Sequence, residues 1–343
     1  MSHQVRFALK LNMYGHPPDT PFQVFQRLAQ QAEAVGFDGV YSVDHLFLPR
    51  KFLLGLSYAD PDVPSFPDCW TGLAALAAVT NRVRLGPQVT PVSMRHPVFI
   101  AKMGATLDHI SNGRFVLQMG TGWHQEEHTS YGLPYDERFS VRHERMMEGV
   151  EVIKRLWTEE QRVSYQGRYF TLDGAPFWPK PVQRPHPPIW FGGMGKKARE
   201  AVARHGDAWT PALPHFQGMG SDLYTEGLRE VRALAQEHGR DPDAILPAAL
   251  FATVIHQDRS KAVELAQVLR RREDWASYSL EEMERMGMVI YGTPDDCARS
   301  VERYIQAGVR YFTFTFVPIT DVEAAMRGME LYASQVLPRF ASV

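Results

Sequence analysis

The chain has 343 residues, of which 44% are apolar and 22% charged, so it can bury a sizeable core and is not a disordered segment. Its 37 basic and 39 acidic residues are mixed along the sequence, which excludes a broad basic surface for nucleic acid or membrane and favours a small-molecule partner. Two cysteines are too few for a disulfide framework, and no apolar run is long enough for a signal peptide or a membrane span, so we expect a cytoplasmic protein.

A short β-rich run, a polar or glycine-rich junction and a helical stretch follow one another about eight times along the chain. The predicted strands are Arg6 to Met13, Gly39 to Val43, Val83 to Val89, Arg114 to Met119, Pro188 to Phe191, Ala208 to Pro211, Ala248 to Ile255 and Tyr311 to Phe316. The predicted helices are Pro21 to Val35, Asp68 to Thr80, Val98 to Ile110, Arg138 to Trp157, Lys196 to His205, Ser221 to Glu237, Ser260 to Arg270 and Pro294 to Ala307.

The ends of several predicted helices carry capping residues. Gly36 and Gly308 stand where a left-handed residue closes a helix, and Thr20 and Thr293 each precede a proline that can open one. Helix, glycine and strand in this order build parallel crossovers, which are almost always right-handed.

Eight such units close most naturally into a (β/α)8 TIM barrel. We expect one barrel domain over residues 1–343, with insertion segments near 47–67 and 159–187, the second containing a hairpin. An open, doubly wound sheet is the alternative fold.

Polar residues at the C-terminal ends of barrel strands are the first candidates for a functional site. Asp44 and His45 directly follow the second strand. The imidazole could hydrogen-bond a planar redox ring or carry a proton, with the flanking carboxylate fixing its tautomer. Equally, Asp44 could cap the chain beside a solvated His45.

The ends of the third, fourth and fifth strands are rich in glycine and proline. A bend after Pro87 could form a bulge under a flat cofactor or an ordinary turn, and the fourth strand end lets a ligand approach the backbone. A glycine-rich turn before a helix, followed by Lys196 and Lys197, is typical of a phosphate site. The candidate cofactor-binding residues here are Gln88, Val89, Thr90, Gly120, Thr121, Gly122, Gly192, Gly193, Met194 and Gly195.

A segment after the fourth strand matches a zinc-protease motif. His124 and His128 fit H-x-x-E-H, and would share one face of a helix. The segment follows a strand end rather than lying within a long helix, and periodicity sets up no downstream glutamate ligand. We therefore expect no metal.

Ordered motifs along nearly the whole chain resemble a known family. They include GFDGVYSVDH (36–45), RVRLG (82–86), LDHISNGR (107–114), GTGW (120–123), PIWFGG (188–193) and GDAW (206–209). Together they resemble the bacterial luciferase-like flavin monooxygenases and the deazaflavin (coenzyme F420)-dependent oxidoreductases.

This resemblance implies a barrel that holds a flavin-like ring at its mouth. Asp44 and His45 resemble the pair beside the ring in the deazaflavin branch, so both are expected to be catalytic and cofactor-binding. The Pro87 to Thr90 segment resembles a non-prolyl cis peptide that backs the ring, Gly120 to Gly122 the cofactor wall, and the turn at 192–195 the phosphate site.

Two departures from the family pattern bear on the substrate and the cofactor. Trp123 stands near the acid of the F420-dependent sugar-phosphate dehydrogenases, which argues against that substrate class, and Gly195 replaces a serine found in many flavin-mononucleotide (FMN) members. We expect F420-dependent hydride transfer to or from a small organic substrate. The alternatives are a monooxygenase that uses reduced FMN from a separate reductase, and a flavin-binding protein without turnover.

The resemblance also implies a homodimer, because members of the family are often dimeric. The apolar face of Met146, Met147, Val150 and Ile153 is compatible with a dimer seam or with helix packing on the barrel.

Overall fold

The computed structural model describes residues 4–17, 19–48, 67–213, 220–272 and 275–341. Most of the predicted insertion near 47–67 lies outside these residues. The strands are β1 (Arg6–Lys10), β2 (Gly39–Ser42), β3 (Arg84–Pro87), β4 (Thr90–Pro91), β5 (Leu117–Gly120), β6 (Val163–Gln166), β7 (Thr171–Ala175), β8 (Ile189–Phe191), β9 (Ala208–Trp209), β10 (Leu246–Ile255), β11 (Val289–Gly292) and β12 (Tyr311–Phe316).

Eleven α-helices occur in the described ranges. They are α1 (Gln23–Ala34), α2 (Cys69–Ala78), α3 (Pro97–Ile110), α4 (Gln125–Ser130), α5 (Phe139–Thr158), α6 (Lys196–His205), α7 (Ser221–Glu237), α8 (Arg259–Ala266), α9 (Leu280–Arg285), α10 (Pro294–Gln306) and α11 (Val322–Leu331). None of the helices in this part of the chain is long and apolar enough to cross a membrane.

The sheet is parallel and curls into a barrel. Its strand order is β3, β2, β1, β12, β10, β9, β8, β5 and β4, and β11 pairs with β10 outside this path. A bridge between Leu85 and Phe115 joins the two ends of the sheet. The predicted TIM barrel is confirmed, and the doubly wound alternative is wrong.

Side chains alternate between the inside of the barrel and the surrounding helices. The lower interior is filled by a cluster in which the hydroxyls of Tyr41 and Tyr311 lie 2.9 Å apart. The larger core lies between the strands and the helices, where α7 and α10 bury one face each. Because this cluster packs the interior near the N-terminal ends of the strands, open space is left towards their C-terminal ends.

The predicted helix caps were partly right. Gly36 and Gly308 have φ of 91° and 106°, and Thr293 caps α10 in a capping box with Asp296. The cap at Thr20 is wrong, since α1 begins at Gln23 and its first turn uses the carbonyl of Pro21.

Two further features concern segments outside the barrel path. The hairpin expected in the second insertion is formed by β6 and β7. The strand β11 was not predicted.

Candidate functional site

A cavity of about 620 Å³ opens at the C-terminal ends of the barrel strands. It brings together eleven of the twelve predicted cofactor-binding residues: Asp44, His45, Gln88, Val89, Gly120, Thr121, Gly122, Gly192, Gly193, Met194 and Gly195. The twelfth, Thr90, is fully buried and donates its hydroxyl to Asp44 at 2.5 Å. The rule that barrel sites form at strand ends therefore placed these residues at one rim.

One wall of the cavity is a bent backbone segment between β3 and β4. The resemblance implied a non-prolyl cis peptide between Pro87 and Thr90, and the Gln88–Val89 bond is cis. Gly120 lies against this segment, because a Cβ at Gly120 would stand 2.3 Å from Cγ2 of Val89. Only glycine lets β5 approach Val89 this closely and leave a flat wall.

Asp44 is a buried carboxylate that accepts hydrogen bonds from side chains of several neighbouring segments. Its side chain is 3% exposed and its oxygens accept hydrogen bonds from the Arg95 guanidinium at 2.7 and 2.8 Å. The indole of Trp70 donates to the same carboxylate at 3.1 Å. The expectation that Asp44 fixes the tautomer of His45 is wrong, since the Asp44 oxygens bond other groups and Nδ1 of His45 lies against a different carboxylate.

His45 is oriented by a different carboxylate, that of Glu127 on α4. Its Nδ1 lies 2.8 Å from Oε2 of Glu127, whose other oxygen accepts the backbone N–H of Leu46. Because a carboxylate only accepts, Nδ1 of His45 carries the proton and Nε2 is the basic nitrogen. Nε2 makes no hydrogen bond in the described part of the chain, and the ring lines the cavity against the indole of Trp123.

The H-x-x-E-H segment does not assemble as a zinc-protease pair. His128 Nε2 lies 2.8 Å from the Ser93 hydroxyl and its Nδ1 2.8 Å from the carbonyl of His124, so both nitrogens have partners. His124 instead groups with His45 and Glu127, and one ligand atom from each lies within 4.8 Å of the others. Burial lowers the pKa of His124. This trio could hold a divalent cation, although the absence of a metal stays our prediction.

The turn between β8 and α6 has the features of a phosphate site. Gly195 caps α6 without a side chain, and nothing lies within 4 Å of where its Cβ would stand. Gly193 has φ of 91°, and its carbonyl accepts the Trp209 indole N–H at 2.9 Å. The uncapped helix N-terminus therefore offers free backbone N–H groups beside open space, which suits a phosphate.

Four side chains around the cavity were missed from the sequence. Glu127 and Arg95 hold His45 and Asp44, and Lys10 and Arg272 line the cavity from β1 and from the segment after α8. Lys10 ends a strand, so the strand-end rule could have identified it.

Comparisons with known proteins show the family to which the chain belongs. The family model for luciferase-like monooxygenases matches residues 7–311. The chain belongs to the luciferase-like monooxygenase family. It is 30% identical to an F420-dependent glucose-6-phosphate dehydrogenase of Microbacterium testaceum, over 90% of each chain. It is 33% identical to pyrimidine monooxygenase RutA of Allorhizobium ampelinum, over 67% of this chain and 60% of that protein.

A solved structure shows the same fold. An F420-dependent secondary alcohol dehydrogenase in complex with an F420-acetone adduct superposes with a TM-score of 0.80 at 22% identity, covering 97% of this chain and 98% of that one. The luciferase-like chain is therefore an enzyme of a family that contains F420-dependent dehydrogenases and monooxygenases.

Proposed function

We propose that the cavity binds coenzyme F420 and that the enzyme transfers a hydride between this cofactor and a small organic substrate. The observation that carries the proposal is the His45–Glu127 pair, which faces the cavity whose rim also includes the glycine-only turn. An imidazole beside the ring and a turn without a serine are the two features that resemble the deazaflavin branch.

The residues present fit such a group. The turn at 192–195 would hold the phosphate, and the wall of Val89 and Gly120 would back the ring. When bound, F420 supplies the hydride chemistry.

The side chains of the enzyme would orient the substrate and move its proton. The acceptor nitrogen Nε2 of His45 can hydrogen-bond a substrate hydroxyl and take its proton while the carbon loses hydride. Glu127 keeps Nδ1 protonated and stabilises the imidazolium that results. In the reverse direction the same imidazolium returns the proton to the oxygen.

Separate titrations of the pure protein with F420 and with FMN, followed by fluorescence quenching, test the cofactor. We expect F420 to bind more tightly. Tighter binding of FMN would contradict the proposal. His45→Ala should leave the protein folded, with a lower melting temperature because Glu127 loses a hydrogen-bond donor, and should lower turnover. Unchanged turnover would remove His45 from the mechanism.

A monooxygenase reaction with reduced FMN is the second candidate, and the similarity to pyrimidine monooxygenase RutA favours it. It requires oxygen uptake that depends on both substrate and a separate reductase. Oxygen consumption under these conditions, with no F420 present, would establish this reaction instead.

We further propose a cytoplasmic homodimer. The apolar face of α5 does not support a seam, because Met146, Val150 and Ile153 are buried against the barrel of their own chain. Light scattering of the purified protein tests the oligomeric state.

A further inference from the structure

The cavity contains a buried lysine whose ammonium group has no partner among the residues that the structure describes. Lys10 lies at the end of β1, its side chain lines the cavity, and the residue is 8% exposed. The side chain of Lys10 makes no hydrogen bond or ion pair with any residue that the structure describes. A buried charge in this state is costly unless a ligand supplies the opposite charge.

A second cation lies near Lys10. Arg272 is 2% exposed, lines the same cavity and places its guanidinium 3.9 Å from the ring centroid of Trp275. Burial and the charge of Arg272 lower the pKa of Lys10 to about 8. The unpaired charge of Lys10 favours an anion here, and the guanidinium of Arg272 adds positive charge near it.

Further polar side chains inside the barrel have no hydrogen-bond partner among the residues that the structure describes. The amide of Gln118 and the hydroxyls of Thr313 and Thr315 are buried without hydrogen-bond partners. Alternate residues of a strand face the same side of a sheet. Gln118 alternates with Val116, Thr313 and Thr315 alternate with Tyr311, and Lys10 alternates with Ala8. Since these three partners belong to the interior cluster, all four side chains face inward. Gln118 and the two threonines lie inside the barrel but do not line the cavity, so the preference for an anion rests on Lys10.

Lys10 and Arg272 define a second side of the cavity, because they come from strands and segments other than those that carry the proposed cofactor residues. Around the ring of strands, the proposed cofactor residues follow β2, β3, β5 and β8, whereas Lys10 belongs to β1 and Arg272 follows β10 and α8. Leu250, Ala212 and Trp275 line the cavity on this second side and are apolar. The second side is therefore left for the substrate, and it combines an apolar wall with positive charge.

We propose that Lys10 binds the carboxylate of a small acid that is apolar apart from its reacting hydroxyl or carbonyl group, which is the substrate class of this cavity. Its position beside the cofactor site rests on the proposed function, whereas the anion preference itself does not. A single negative charge matches the one ammonium group of Lys10, because the guanidinium of Arg272 already packs against the indole of Trp275. The acid group would orient the reacting carbon towards His45.

Calorimetric titration with hexanoate and with neutral hexanamide tests this assignment. We expect the wild-type protein to bind hexanoate roughly ten-fold or more tightly than hexanamide, as for a hydrogen bond between charged groups. Lys10→Met should abolish this preference, and Lys10→Arg should retain part of it. Lys261→Met, an exposed lysine on α8, is the matched control and should behave as wild type.

Melting temperatures of all variants establish that they are folded, and Lys10→Gln serves if Lys10→Met is not. Equal binding of hexanoate by wild type and Lys10→Met would overturn the assignment, as would equal binding of hexanoate and hexanamide. Tighter binding of hexyl phosphate would overturn the choice of a carboxylate.

The titrations are made with and without F420 so that the two proposals can fail separately. Hexanoate preference without any F420 binding would refute the cofactor and leave the acid site standing. Weaker F420 binding by Lys10→Met, with hexanoate binding intact, would show that Lys10 serves the cofactor and overturn the acid site.

Discussion

Replacement of Glu127 separates its structural role from its effect on His45. The carboxylate is fully buried and accepts hydrogen bonds from the backbone N–H of Leu46 and from Nδ1 of His45. Glu127→Ala leaves both donors without an acceptor. Because both donors are only partly buried, the free energy of unfolding should fall by about 1–3 kcal/mol in all.

Glu127→Gln should have a different effect. Its amide oxygen can still accept the N–H of Leu46, so stability should fall by about 1 kcal/mol or less. Its amide nitrogen then faces Nδ1 of His45 and donates to it, which moves the ring proton to Nε2. The basic nitrogen is lost from the cavity side, and turnover should drop about 10²-fold or more with F420 affinity little changed.

Guanidinium chloride unfolding and steady-state kinetics measure the two effects. Glu126→Gln is the control, because the neighbouring side chain is 71% exposed, and both quantities should stay at their wild-type values. Full turnover in Glu127→Gln would refute the tautomer assignment. Wild-type stability in Glu127→Ala would refute the hydrogen bonds themselves.

Three further predictions concern the turn, the wall and pH. Gly195→Ser puts a hydroxyl into open space at the start of α6. The free energy of unfolding should rise by a few tenths of a kcal/mol, and a fluorescence titration should show tighter FMN binding. Unchanged FMN affinity would place the phosphate elsewhere. Gly120→Ala pushes Val89 out of the wall and should cost about 1–3 kcal/mol and weaken F420 binding, and a variant with wild-type affinity would contradict the wall. Burial lowers the pKa of His16 and His124, so on acidification the unfolded state takes up protons before the folded state does. The free energy of unfolding should therefore fall as the pH drops below about 6.5. An unfolding midpoint that stays constant between about pH 7.5 and 5 would contradict this.

Sequence patterns predicted elements well where a local signal was strong. The strand Tyr311–Phe316 and the helices Lys196–His205 and Ser221–Glu237 have the predicted bounds. The strand β11 was missed because eight repeats already complete a barrel and its short apolar run stands directly before a helix. Thr20 was predicted to cap the first helix because it precedes Pro21. The helix α1 instead begins at Gln23, after a turn at Pro21 and Phe22.

The candidate site was predictable to the level of strand ends and not beyond. The rim residues follow strands, so topology alone collects them. The partner of His45 lies 82 residues away and that of Asp44 51 residues away. Such pairs depend on how loops fold over the barrel, and no sequence periodicity reports that packing.

A structure of the enzyme with F420 bound would test the position of the cofactor most directly. We expect the phosphate at the turn of residues 192–195, the ring against Val89 and Gly120, and Nε2 of His45 directed at the space between ring and substrate. A cofactor bound outside this cavity, or a ring lying against Lys10 with its phosphate away from Gly195, would contradict the assignment of the two sides of the barrel.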